Sequence, residues 1–243
     1  MSIILLWLEA PMQSWGADSR FDSRDTLPFP TRSGVLGMFC AASGRGGEQG
    51  DWLAHMAGHS QTVEAYGRKN KKGQGIREPL LCDFHVVGSG YDDTNPWQDM
   101  LIPKLRNTKN RKSDGGGTKL TYRYYIQDMA FACALEVPAD EAEELAEALC
   151  TPVWPISLGR KSCIPTDTVY RGTFATLEDA LAEGRRIAES KDRAPTFHVL
   201  EGAHAGLGDI IMTLNDVPVC FGTRKQYRDR QVTFVYGEYG LDT

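Results

Sequence analysis

The chain has 243 residues, 41% of them hydrophobic, which is enough to bury a core without disulfide or metal staples and fits one or two domains. A formal charge of -5 at pH 7 and a pI near 5.6 exclude a protein that coats nucleic acid indiscriminately, because its overall field repels phosphate. Any nucleic-acid site must be a local basic patch.

Ile3 to Leu8, IILLWL, is continuously apolar rather than alternating, as expected of a central strand covered on both faces. A long polar loop follows, Ala10 to Ser33, and leads into the apolar run GVLGMFCAA. Gln13, Trp15, Arg20, Arg24, Thr31, Arg32 and Ser33 can all donate hydrogen bonds from this loop, and Trp15 adds a flat aromatic face. Such a set suits an anion with planar rings attached, a description that fits RNA. Pro30 biases Phe29 away from helix, and Thr31 or Ser33 can cap the helix that follows. The first N–H groups of that helix are expected to face whatever anion the loop admits, with Arg32 at the mouth. An ordinary capped helix with an exposed arginine is the alternative reading of the same residues.

Gly34 to Ala42 carries Val35, Leu36, Met38 and Phe39 on a helical core face, and Ser43 to Gly50 is a turn. Asp51 to Gly58 reads as a second short helix through Trp52, Leu53 and Met56. His55 and His59 have the spacing of a helical metal pair, but Gly58 weakens the helix between them and no acidic or thiol third ligand is expected to be placed nearby, so no metal is expected. Gln61 to Ala65 is the next strand. The basic turn GRKNKKGQG after it suits either a flexible loop or close backbone approach to phosphates.

Leu80 to Val87 and Thr118 to Ile126 are strands joined by a very polar insertion, Gly88 to Gly117, so together they make a protruding hairpin. From Arg68 to Tyr125 twelve Lys and Arg stand against six Asp and Glu, a balance of +6 that leaves -11 for the remainder. Lys104, Arg106, Lys109, Arg111, Lys112, Lys119 and Arg123 form the hairpin's share of that charge. On the return arm Tyr122 and Tyr124 share one face while Arg123 and Tyr125 share the other, so one face can pack and the other can stack a base. Met129 to Val137 is a strong strand, and Pro138 to Leu149 a helix with acidic residues in its first turn. The resulting order fits the β-α-β-β-α-β arrangement of a ferredoxin-like fold.

In the loop from Pro155 to Pro165, Gly159, Arg160, Lys161 and Ser162 can bring backbone amides, two cations and a hydroxyl onto one phosphate. Leu177 to Ser190 is an amphipathic helix introduced by a capping pattern from Thr176 to Asp179. Short strands are expected at Phe197 to Leu200, Ile210 to Leu214 and Gln231 to Tyr236. Between the last two, Arg224, Lys225, Arg228 and Arg230 form a second cationic cluster, suited to RNA or to an acidic protein neighbour.

The six cysteines contain no C-x-x-C pair and several sit in apolar runs, so neither a disulfide framework nor a zinc site is expected. The short first apolar segment lacks a basic n-region and is soon followed by Glu9 and Pro11, which supports neither a signal peptide nor a membrane span. A reducing cytoplasm is the expected compartment.

APMQSWG, FPTRSGVLGMFCAA, CDFHVVGSG, TYRYYIQD and SLGRKSC, in that order and at these intervals, resemble the CasD subunit family of the type I-E Cascade complex, within the RAMP superfamily of CRISPR-associated proteins. The blocks run from residue 3 to roughly residue 174, and the resemblance fades after Thr173. It implies an α+β chain with a ferredoxin-like (RRM-like) RNA-binding palm over residues 1–174. That palm includes a thumb hairpin at about residues 80–127, and a small, β-rich C-terminal α/β unit covers residues 175–243. It also implies a non-catalytic role without metal or cofactor, gripping the 5′ handle of a CRISPR RNA and capping the backbone of the complex. The implied partners are that RNA, the Cascade backbone and large subunits and, indirectly, target DNA, with no membrane. The alternative is a metal-independent endoribonuclease that processes precursor RNA, for which His85, Tyr125 and Lys119 would have to converge on a 2′-hydroxyl and its phosphate.

Overall fold

Every residue from Ile4 to Leu8 is fully buried, so the first strand has apolar partners on both sides of the sheet. The computed structural model describes residues 1–16, 23–87, 119–204 and 210–236. In chain order the front of the molecule holds β1 (Ser2–Glu9), four two-residue strands β2 (Met12–Gln13), β3 (Trp15–Gly16), β4 (Ser23–Arg24) and β5 (Thr26–Leu27), then helices α1 (Arg32–Ala42) and α2 (Gly50–Met56). Next come β6 (Gln61–Lys69), β7 (Gly75–Ile76), β8 (Leu81–Val87), β9 (Lys119–Gln127) and β10 (Ala130–Val137). Then follow α3 (Ala142–Cys150), β11 (Tyr170–Phe174), α4 (Leu177–Ser190), β12 (Arg193–Glu201), β13 (Ile210–Cys220) and β14 (Gln226–Tyr236).

The architecture is mixed α/β and dominated by strands. One sheet runs β11-β1-β10-β6-β12-β14-β13, with β7 added beside β6, and neighbouring strands are antiparallel throughout. The residues beyond 175 supply α4 and three strands that continue this sheet from β6 outward.

Alternation along β1 divides the core. Ile4, Leu6 and Leu8 join Val35, Leu36 and Phe39 of α1 and Leu145 and Leu149 of α3 on one face. Ile3, Leu5 and Trp7 meet Ala180, Leu181, Ile187 and Ala188 of α4 on the other. Each fully buried Leu or Ile of β1 contributes about 1.5–3 kcal/mol of transfer free energy, so the position of β1 follows from its unbroken apolar run.

The helix ends follow their local chemistry. Thr31, in extended conformation, accepts from the Gly34 N–H and caps α1. At the other end of α1, Val153 and Trp154 donate to the carbonyls of Ala42 and Ala41, which satisfies acceptors the helix cannot use. Thr176 accepts from the Asp179 N–H and donates to the Asp179 carboxylate, as the capping pattern predicts. The six cysteines are free thiols; burial pushes Cys40 up to about 11 and Cys133 up to about 12.

The second sheet carries the hairpin. β8 and β9 pair from Leu81 opposite Tyr125 to Val87 opposite Lys119, so the two predicted arms come together. Lys104, Arg106, Lys109, Arg111 and Lys112 lie outside the described residues, as do Arg20 and the side chain of Lys119. No helix among the described residues is long and apolar enough to cross a membrane.

Candidate nucleic-acid interface

The front loop is laid against β9. Met12 and Gln13 pair with Gln127 and Ile126, and Ser23 and Arg24 run parallel to Tyr122 and Arg123. The Trp15 N–H donates to the Thr26 hydroxyl, closing the loop on itself.

The loop after α3 docks on the same strand. Leu158 and Cys163 close it by a backbone hydrogen bond, and the Ser14 N–H donates to the Leu158 carbonyl. Gly159 has φ +90, and a Cβ there would lie 1.6 Å from the Ser14 carbonyl oxygen, so both the conformation and the contact require glycine. Arg160 donates to the carbonyls of Tyr124 at 3.2 Å and Arg24 at 2.6 Å, and its guanidinium sits 4.6 Å from the Tyr125 ring centroid. One side chain therefore ties the front loop, the hairpin strand and the Gly159 loop together.

Between these loops, one side of α1 and the β13–β14 turn lies an open groove of about 460 Å³. Among the described residues that line it, Arg24, Arg160 and Lys225 bring positive charge and Asp25 is the carboxylate. Thr31, Ser33 and Ser157 offer polar groups, Met38, Ala41 and Pro155 form an apolar wall, and Phe221 and Tyr227 add aromatic surface. Three cations against one acid, with apolar and aromatic surface beside them, suit phosphates together with planar rings.

Several residues nominated from the sequence face elsewhere. Gln13 is fully buried, donating to the carbonyls of Leu8 at 3.1 Å and Met129 at 2.8 Å and accepting from the Trp15 indole. It therefore works as an internal strut. Trp15 borders the groove but has no exposed surface, because its ring is pressed against Gly34, so it offers no stacking face. Tyr125 is 5% exposed beneath Arg160 and is equally unable to stack a base.

Arg32 is the largest correction. It is 2% exposed and turned away from the groove, paired with Glu201 at 3.3 Å. Its own N–H donates to Asp216, whose carboxylate also holds Arg230 through two hydrogen bonds of 2.7 and 2.9 Å. The anion at the start of α1 is thus Asp216, supplied from β13, and that helix end is already neutralised. Burial pushes the Arg32 guanidinium below its ordinary value against the opposing pull of Glu201, and two of its nitrogens have no hydrogen-bond partner among the described residues. Burial acts on Arg230 in the same direction, but Asp216 and Glu201 hold it above its ordinary value.

The remaining nominees scatter. Thr31 spends its oxygen on the cap while bordering the groove, and Ser33 is half-buried there. Arg24 is exposed, Arg123 half-buried on β9, and Lys161 and Ser162 are exposed outside the lining. The structure brings in Phe221, Lys225 and Tyr227, which the front-loop argument missed; the cationic cluster around Arg224 was their only signal. Of that cluster Lys225 reaches the groove and Arg230 is buried. His55 and His59 have ring centroids 6.0 Å apart, and Glu141 approaches His55 at 3.5 Å. Among the described residues no group of three or more His, Cys, Asp or Glu is placed to hold a metal ion.

A family model described as CRISPR-associated protein (Cas_Cas5) matches residues 3–233. The chain is 30% identical over 175 residues to a protein of Escherichia coli strain K12 named CRISPR system Cascade subunit CasD, covering 71% of each. Among solved structures it resembles a chain of a CRISPR RNA-guided surveillance complex, with a TM-score of 0.69 and 32% identity over 96% of this chain and 89% of that one. It also resembles a crystal structure of a Cas protein, with a TM-score of 0.58 and 25% identity over 96% and 94%.

Proposed function

The chain belongs to the Cas5 family of CRISPR-associated proteins, and from that premise we propose that it is a non-catalytic RNA-binding subunit of a CRISPR surveillance complex. In this reading it grips the 5′ handle of the CRISPR RNA and caps the backbone of the complex. The single observation that carries the reading is the groove, where three cations and a set of small polar groups converge beside aromatic surface although the whole chain is acidic. Phosphate contacts supply most of the affinity there, and the apolar wall selects splayed bases.

We read β11-β1-β10-β6, with α1 and α3 on one face, as a ferredoxin-like palm, and β8–β9 as the root of its thumb. Supporting this, the first strand of the unit lies between the fourth and the third, and all neighbours are antiparallel. The residues from 175 onward act as the C-terminal unit that widens the palm's sheet. The partners in this reading are the CRISPR RNA, the backbone and large subunits and, indirectly, target DNA, in the cytoplasm.

The register of the hairpin favours binding over cleavage. His85 lies opposite Thr121, four residues along the ribbon from the Leu81–Tyr125 pair, which is roughly 13 Å. That separation, with Tyr125 buried, supports the non-catalytic reading over one in which the two side chains share a phosphate.

Incubating the purified chain with labelled repeat RNA in EDTA tests the proposal. Saturable binding without scission is expected, weakened by Lys225→Ala. Specific scission would overturn the non-catalytic role, and undiminished binding by the Lys225 variant would remove the groove from the interface.

A further inference from the structure

The hairpin β6–β7 has no part in the groove, yet it carries the densest positive charge among the described residues. Residues 68–77 hold five cations, Arg68, Lys69, Lys71, Lys72 and Arg77, and no carboxylate; Glu78 follows. None of the five lines the groove.

The charges at the root of the hairpin are spoken for. Arg68 pairs with Asp128, and Lys69 with Asp192 at 3.1 Å. Arg77 lies 5.0 Å over the Phe197 ring centroid. At the tip Lys71 and Lys72 are exposed and have no acidic partner among the described residues.

The tip is built rather than loose. Asn70 accepts the N–H groups of Lys72 at 2.8 Å and Gln74 at 3.0 Å on its side-chain oxygen, and its amide donates to the Gln74 side chain. Two backbone hydrogen bonds, from Asn70 to Gln74 and from Gly73 to Asn70, close the turn. The root is pinned as well, since a Cβ on Gly75 would come 2.4 Å from the Ala194 carbonyl oxygen, so only glycine lets the hairpin lie against β12. The hydrogen-bonded turn fixes the backbone from which the exposed Lys71 and Lys72 project, so contact orders their side chains but costs little backbone entropy.

We propose that this tip contacts the phosphate backbone of double-stranded nucleic acid, at a site separate from the groove. Phosphate is the partner that matches adjacent ammonium groups left without carboxylates on an acidic protein. Residues 68–77 contain no aromatic side chain, so the tip has no platform for an unpaired base. Its complement is a ligand whose charges face outward and whose bases are stacked inside.

The test compares the full-length chain with Lys71→Gln/Lys72→Gln, using labelled duplex DNA of arbitrary sequence and labelled single-stranded repeat RNA across a salt series. The expected result is a duplex affinity at least about tenfold lower at low salt and a salt slope shallower by about 1.8, with repeat-RNA binding unchanged. Wild-type protein that fails to bind duplex, a variant that binds it normally, or an equal loss on single-stranded RNA would each overturn the proposal. So would normal duplex binding by a variant that no longer assembles with other subunits, which would make the tip a protein contact. A groove variant, Lys225→Ala, loses repeat RNA while keeping duplex, so failure of the groove reading and failure of this one are distinguishable.

Discussion

Arg32 at the start of α1 and Arg160 in the Gly159 loop stand in similar stretches, TRSG and LGRKS, and end in opposite surroundings. Arg32 is sealed into a cluster with Glu201, Arg230 and Asp216, whereas Arg160 is half-exposed at the groove and donates to two carbonyls. A carboxylate partner takes an arginine out of competition for phosphate; a carbonyl leaves its charge uncancelled. The sign of the neighbour, more than the loop's composition, decides which arginine serves a ligand.

The comparison is broken most forcefully by removing Arg32. Arg32→Ala leaves Glu201 facing Arg230 alone and a buried cavity, which should cost about 3–5 kcal/mol and lower the melting temperature by about 10 °C. RNA affinity measured below that transition should stay within about twofold of wild type. A large loss of affinity with little loss of stability would reverse the assignment.

Gly159→Ala comes next, because the added methyl must displace the Ser14 carbonyl and hold a positive φ. A loss of about 1–3 kcal/mol in a denaturant titration is expected, together with weaker RNA binding as the loop lifts from β9. The two losses should appear together, unlike those of the Arg32 variant.

Arg160→Ala sharpens the other half of the comparison. Its stability cost should be about 1 kcal/mol, while the salt slope for single-stranded RNA falls by about 0.7. The double variant with Arg32→Ala should show the same slope as Arg160→Ala alone.

The smallest effect belongs to a half-exposed ion network at the end of β1. Burial raises Asp167, but Lys191 and Arg171 more than offset it and hold its carboxyl at about 2; burial likewise opposes Trp7, Lys191 and Arg193 at Glu9, which also ends below its ordinary value. Folded values below unfolded ones mean that this stabilisation is complete above the ordinary carboxylate range and is lost as pH falls toward about 2. Lys191→Met should therefore move the acid-unfolding midpoint upward and cost no more than about 1 kcal/mol at pH 7.

What the sequence shows well is whatever its own neighbours decide. The unbroken apolar run of β1, the Thr31 and Thr176 caps and the two arms of the hairpin depend on residues within a few positions. The fates of Gln13, Trp15 and Arg32 depend on Met129, Gly34 and Asp216, the last of them 184 residues away, and no local pattern reports such a partner. The same distance hides the groove's third wall, since Lys225 reaches it only because β13 and β14 fold back beside α1. The family blocks legible by eye stop at Thr173, yet the family match runs on to residue 233 and the sheet continues with it, because β12 pairs with β6.

That pairing sets an order of events at the ribosome. β6 is flanked by β10, which is translated soon after it, and by β12, which is complete only at residue 201. Until then the nascent chain holds a core still lacking Phe197, Val199, Leu214, Val232 and Phe234, and its strand edge at Val63 and Ala65 is unpaired, the kind of surface that chaperones shield and aggregates exploit.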